Sequence, residues 1–195
     1  MLFRSFTPEL CVSDPWQTLK SAIRGGVDLV QWRTKQPDDA GFRRCRDLCH
    51  NLDVPVIVND DVMLAVRGRA LGAHVGQDDM PPEAARRVLE KGILGVSTHS
   101  LEQLTAAQDA GADYVGFGPC FPTATKGYED GLPRDQIEAA VTTARVPLFA
   151  IGGIHAENLR ELQFLGVRSI AVCSAILRAS DPGAAAADLR RRLGG

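Results

Sequence analysis

Short apolar runs rich in valine and isoleucine recur along this chain, and stretches with helical spacing separate them. The strand candidates are residues 10–13, 27–33, 54–59, 73–76, 93–97, 114–118, 148–152 and 170–174. Between two of them, Leu101, Leu104, Ala107 and Gln108 share one helical face. Strands alternating with helices imply a parallel sheet, because a crossover helix returns the chain to the same end of the sheet. With 195 residues over eight candidates, a unit has about 24 residues, which leaves no room for insertions. The closed solution is an α/β fold, a compact single-domain (β/α)8 TIM barrel over residues 1–195. An open doubly wound sheet would need longer crossovers. Gly26, Gly72, Gly111 and Gly166 each precede a candidate strand. A glycine there ends a helix in a left-handed conformation and turns the chain inward.

Apolar residues make up 45% of the chain, enough for a substantial core, and the net charge is −2. No basic field invites nucleic acid or an anionic membrane, so any bound anion must be caught by a local site. Five cysteines, Cys11, Cys45, Cys49, Cys120 and Cys173, show no framework spacing, and Cys45-x-x-x-Cys49-His50 has no second half to complete a zinc site. They read as reduced thiols of a cytoplasmic protein. The first residues, MLFRSFTPELCVSD, lack an apolar signal core, and no run is long enough to span a membrane.

In such a barrel, chemistry gathers at the carboxyl ends of the strands, and the polar residues fall there. Alternation along Gln31-Trp32-Arg33-Thr34-Lys35 puts Gln31, Arg33 and Lys35 on one face. Two cations and an amide suit a multiply charged anion, though the same pattern describes a solvated strand end. Strand 3 ends Asn59-Asp60-Asp61, and strand 4 is followed by Gln77-Asp78-Asp79. Carboxylates from neighbouring strand ends can share Mg²⁺ with substrate phosphates. Asp78 or Asp79 could instead cap a helix starting near Pro81. Strand 5 ends Ser97-Thr98-His99-Ser100, where one hydroxyl can cap the next helix and another point inward. His50, His74, His99 and His155 lack partners in the sequence and read as structural. The strand-6 loop carries Thr123-Ala-Thr125-Lys126, strand 7 ends Gly152-Gly153, and strand 8 ends Cys173-Ser174. Loops after strands 7 and 8 frequently bind phosphate. Two anion sites in one barrel are the expectation.

The runs QWRTK, VIVNDDVMLA, GAHVGQDDMP, ILGVSTHS, GADYVGFGPCFPTATK and FAIGGI…N together resemble the thiamine phosphate synthase family, in order, from about residue 9 to about residue 190. The resemblance implies a transferase that joins a hydroxymethylpyrimidine diphosphate to hydroxyethylthiazole phosphate, releasing pyrophosphate through an ionised pyrimidine cation. It implies that Arg33, Lys35, Asn59 and Lys126 hold the pyrophosphate, and that Asp60 and Asp79 hold Mg²⁺. Gln31 and Ser97 would contact the pyrimidine or its diphosphate. Thr123, Thr125, Gly153, Cys173 and Ser174 would bind the thiazole phosphate. Lys126, Ser97 and Arg33 carry the catalytic role in this reading, and a homodimer is the implied assembly.

Two departures stand out. Thr34 replaces the family's usual glutamate, and by alternation it faces away from the mouth. The first strand also leads through Ser13-Asp14-Pro15 directly to Trp16, so the first βα link reads as short. Two rivals share parts of the pattern. The related thiazole tautomerase carries a histidine where this chain has Pro119 and lacks the paired aspartates. A non-catalytic binder of thiamine precursors would draw its support from Thr34 and the short link, against intact Lys126, Asp60 and Asp79.

Overall fold

The computed structural model describes residues 1–123 and 129–194. Its elements begin β1 (Leu2–Phe6), α1 (Pro15–Arg24), β2 (Leu29–Trp32), α2 (Asp39–His50), β3 (Val56–Asn59), α3 (Val62–Arg67), β4 (Gly72–Val75) and α4 (Pro82–Leu89). They continue β5 (Ile93–Thr98), α5 (Leu101–Asp109), β6 (Tyr114–Phe117), α6 (Arg134–Thr143), β7 (Leu148–Ile151), α7 (Leu159–Phe164), β8 (Ser169–Val172), α8 (Ser174–Leu177) and α9 (Pro182–Arg192). Every strand pairs in parallel with the next, and β8 pairs with β1, so the sheet closes. The expected (β/α)8 barrel is the fold observed.

Strands 2 to 8 lie where the apolar runs place them, but the first does not. Residues 10–13 are not a strand. Pro8–Leu10 form a 3₁₀ turn, and the Asp14 carboxylate caps α1 by accepting from the Gln17 N–H at 2.8 Å. The strand is Leu2–Phe6, with Leu2 and Phe6 fully buried in the layer under the helices and Ser5 lining the interior. Only that segment alternates across a pleat, whereas Leu10-Cys-Val-Ser13 is bracketed by Pro8 and the Pro15 that opens α1. The first βα connection therefore runs from Thr7 to Asp14 and is not the short link read from the sequence.

Gly26, Gly111 and Gly166 do take the left-handed conformation, at φ 102°, 88° and 87°. Gly72 does not. It belongs to β4, and Arg69 at φ 55° makes the corresponding turn.

Two apolar layers result. The larger lies between sheet and helices, and a smaller one inside the barrel contains Leu29, Ile57, Tyr114, Phe149 and Ala171. Tyr114 and Phe149 meet edge to face, ring centroids 5.4 Å apart. Glycines make the room: a Cβ on Gly95 would overlap the Tyr114 ring, and one on Gly72 would overlap the Ile93 backbone carbonyl. A side chain can yield, but a paired strand's backbone cannot. Gly72→Ala is therefore expected to lower unfolding free energy by about 3 kcal/mol, read as a shifted denaturant midpoint.

Candidate active site

The carboxyl ends of all eight strands open onto one pocket of about 950 Å³, counting its open mouth. On the β2–β3 side, Gln31 is buried in the wall, and Arg33 and Asn59 line it. The Arg33 N–H donates to the Phe6 carbonyl at 3.0 Å, which carries the strand geometry one residue past Trp32. Beyond that the chain leaves the sheet. Lys35 is exposed and outside the pocket wall, so the face shared by Gln31 and Arg33 does not extend to it.

Across the barrel, β7 delivers Gly152 and Gly153 at φ 98° and 63°. The conformation is one that side chains disfavour, and the space is closed as well. A Cβ on Gly152 would press on Pro119, and one on Gly153 on the Pro122 carbonyl. The strand-6 loop is thereby laid against the glycines, with the Cys120 N–H donating to the Ile151 carbonyl at 2.8 Å and the Phe121 N–H to Gly152 at 3.1 Å. Asn158, nearly buried, locks the far side. Its Nδ2 donates to the Gly153 carbonyl at 2.8 Å, and its Oδ1 accepts from the His155 N–H at 2.9 Å. Thr123, Gly153, Cys173 and Ser174 all line this half of the pocket. Thr125 and Lys126 lie outside the described residues.

The two aspartate pairs divide their work. Asp61 caps α3, accepting from the Leu64 N–H at 2.7 Å. Asp60 is exposed and held at φ 65°, its N–H donating to the His74 carbonyl on β4 at 2.8 Å. Neither Asp78 nor Asp79 caps α4, whose N-cap is Pro81. Asp79 instead closes the turn after β4: its Oδ2 accepts from the Gly76 N–H at 2.7 Å. Its Oδ1 has no hydrogen-bond partner among the described residues. Among those residues no group of three or more His, Cys, Asp or Glu side chains stands ready to cage a metal. Mg²⁺ held by two carboxylates and substrate phosphates requires no such cage.

Ser97 lines the pocket from β5, and Ser100 caps α5 by accepting from the Gln103 N–H at 3.3 Å. The division of hydroxyls expected after strand 5 is observed. Ser97 is held twice: its carbonyl accepts from Gln77 Nε2 at 2.6 Å, and its Oγ lies 2.8 Å from His74 Nε2. His74 is a residue the sequence reading undervalued. It is buried, lines the pocket, and places Nδ1 2.9 Å from the Tyr114 hydroxyl. Strand parity was the available signal, since His74 is two residues past Gly72 and faces inward with it. His99 also lines the pocket, with Nδ1 bonded to the Gly118 carbonyl and its N–H donating to Gln103 Oε1 at 2.7 Å. Burial holds the Tyr114 phenol well above its usual pKa and pushes the Cys120 thiol up to about 12.

A family model described as thiamine monophosphate synthase matches residues 6–176. The thiamine-phosphate synthase of Geobacillus thermodenitrificans is 45% identical over 186 residues, covering 88% of this chain and 81% of that protein. That of Thermoplasma acidophilum is 39% identical over 180 residues, covering 90% and 84%. A Synechococcus thiamine-phosphate synthase is 42% identical over 179 residues, and there the match covers 89% of this chain and only 50% of the relative. Among solved structures, thiamine phosphate pyrophosphorylase from Pyrococcus furiosus superposes with a TM-score of 0.89 at 31% identity, covering 99% of this chain and 95% of that one. A 3-hexulose-6-phosphate synthase from Salmonella typhimurium, at 15% identity and a TM-score of 0.76, shares the fold.

Asn158 offers a direct test of the glycine turn's geometry. Asn158→Ala leaves the Gly153 carbonyl and the His155 N–H without their partner, and is expected to cost about 2 kcal/mol of stability. Equilibrium denaturation beside the wild type measures it.

Proposed function

The chain belongs to the thiamine monophosphate synthase family and is a transferase of thiamine biosynthesis, and we propose that its barrel mouth joins a pyrimidine diphosphate to a thiazole phosphate. One observation carries the reading: a single pocket brings Gln31, Arg33 and Asn59 on one side to face Thr123, Gly153 and Ser174 on the other. The first set suits a diphosphate with its aminopyrimidine, the second a monophosphate.

In this reading Arg33, Asn59 and Lys35 take the diphosphate, joined by Lys126 from the strand-6 loop. Lys35, exposed outside the wall, would reach inward only when the anion draws it. Gln31 and Ser97 orient the pyrimidine. Thr123 and Thr125 hydroxyls, the Gly153 backbone, the Cys173 backbone and the Ser174 hydroxyl hold the thiazole phosphate. The thiazole nitrogen is then presented to the pyrimidine methylene carbon from the face opposite the departing pyrophosphate. The electron-rich aminopyrimidine carries the charge as the carbon–oxygen bond breaks, so no protein base or nucleophile is required. What the chain supplies is preorganised positive charge at the leaving group and a pocket poor in water.

The residues present fit Mg²⁺. Asp79 has one oxygen fixed by Gly76 and the other turned to no described partner. Asp60 is tied to β4 through its own N–H, which keeps it beside that strand's end. Bound there, the ion would neutralise pyrophosphate oxygens. The reading also includes a cytoplasmic location and a homodimer as the assembly. No helix among the described residues is long and apolar enough to cross a membrane.

Two kinetic experiments test this reading. Excess chelator is expected to abolish pyrophosphate release, and Asp79→Asn to lower turnover at least about a hundredfold while the circular dichroism spectrum is retained. Full activity in chelator rules the metal out.

The second experiment separates the two anions. Lys126→Ala is expected to reduce kcat by orders of magnitude with modest KM changes, because charge grows on the leaving oxygen only as the bond breaks. Thr123→Ala is expected to raise KM for the thiazole phosphate about fivefold. Steady-state kinetics with both substrates measures both variants. Near wild-type constants would return the loop to a surface role.

A further inference from the structure

We propose that Tyr114 and His74 form a relay that sets the polarity of the Ser97 hydroxyl, making both positioning residues for the pyrimidine half of the pocket. This rests on the reading of Ser97 given above and extends it.

The three side chains come from neighbouring strands β6, β4 and β5, all facing inward. Tyr114 and His74 belong to strands that do not pair with each other, and Gly95 of β5 is registered against both. Because Gly95 has no side chain, the Tyr114 ring crosses over β5 and places its hydroxyl 2.9 Å from His74 Nδ1. The imidazole also packs over Gly116, where a Cβ would make ordinary contact at 3.4 Å from His74 Cε1. On its other side the ring places Nε2 2.8 Å from Ser97 Oγ.

A neutral imidazole has one nitrogen that donates and one that accepts. The two bonds therefore run in the same sense along the chain. If the phenol donates to Nδ1, then Nε2–H donates to Ser97, and the serine proton is free for a ligand acceptor. If the phenol accepts, Ser97 donates to Nε2 and offers a ligand only lone pairs. Either way the sense of the Tyr114–His74 bond is coupled to what Ser97 presents. Burial keeps that hydroxyl a phenol throughout the working pH range. An aminopyrimidine carries both N–H donors and ring-nitrogen acceptors, so a serine with fixed polarity tells one edge of the ring from another. Ser97 itself has little other freedom, because Gln77 fixes its carbonyl and Thr98 Oγ1 donates to the Gly116 carbonyl at 3.0 Å.

The test is a double-mutant cycle of Tyr114→Phe and Ser97→Ala, with kcat and KM measured for each substrate. Tyr114→Phe keeps the ring against Phe149 and removes only the oxygen. It is expected to lower kcat/KM for the pyrimidine diphosphate about fivefold, leave KM for the thiazole phosphate unchanged, and have less than about a twofold effect in the Ser97→Ala background. Equal losses in both backgrounds, or none in the wild type, overturn the relay. If Ser97→Ala is impaired and Tyr114→Phe is not, the relay alone falls. If Ser97→Ala is itself unimpaired, the role of Ser97 falls with it. The same cycle run with His74→Asn keeps the test available should one variant fail to fold.

Discussion

Closing eight parallel strands creates an interior that side chains must fill at the bottom and leave open at the top. Everything else in this protein follows from how two-residue steps along the strands meet that demand. On β2 the step runs from Leu29 in the inner apolar cluster to Gln31 and then Arg33 in the pocket wall. On β3 it runs from Ile57 to Asn59, and on β5 from Ile93 past Gly95 to Ser97. The first member of each set packs, and the last lines the pocket. Because both sit on one rigid strand, the packing fixes where the polar group stands. The buried His74 is tolerated because its ring nitrogens meet the Tyr114 and Ser97 hydroxyls.

Rigidity on the β7 side of the pocket is built differently, from backbone instead of side chains. Gly152 and Gly153 let the strand-6 loop come into contact with β7, and Asn158 holds their turn from below. One consequence concerns Cys120 at the start of that loop. It is buried, bonded to the Phe117 carbonyl at 3.5 Å, and its thiol is pushed up to about 12. A sulfur this close to the pocket is thus no nucleophile at neutral pH. That agrees with a reaction in which the leaving group needs charge stabilisation and the attacking atom belongs to a substrate.

Seven of the strands were legible because each is a short, mostly apolar run set between helical stretches, as in Val56-Ile57-Val58-Asn59. The first was not, because Leu10-Cys-Val-Ser13 is the more apolar run, whereas Leu2–Phe6 is interrupted by Arg4 and Ser5. A strand inside a barrel needs only alternate positions to be apolar, and Ser5 faces the pocket. His74 was missed for a related reason. Its partners Tyr114 and Ser97 are 40 and 23 residues away in sequence, and only the closed sheet with a glycine between them brings them within bonding distance. Lys35 marks the opposite error, since alternation was carried past the point where β2 ends. The strand-6 loop was read from its motif alone, and of its three polar residues only Thr123 falls among those described.

The aspartates after β3 and β4 differ in what their carboxylates and amides hold. After β3 the capping falls to Asp61, and Asp60 is placed at φ 65°. A left-handed conformation there costs a non-glycine residue on the order of 1 kcal/mol. It also turns the chain between strand and helix, where Asp61 caps α3. After β4 a single side chain closes the turn, with Asp79 Oδ2 accepting from the Gly76 amide. The hydrogen bond from Asp60 N–H to the His74 carbonyl ties the two strand ends together. His74 is thereby a joint between the aspartate rim, through its backbone, and Ser97, through its ring. A displacement of β4 would be felt at both the Asp60 backbone and the Ser97 hydroxyl at once.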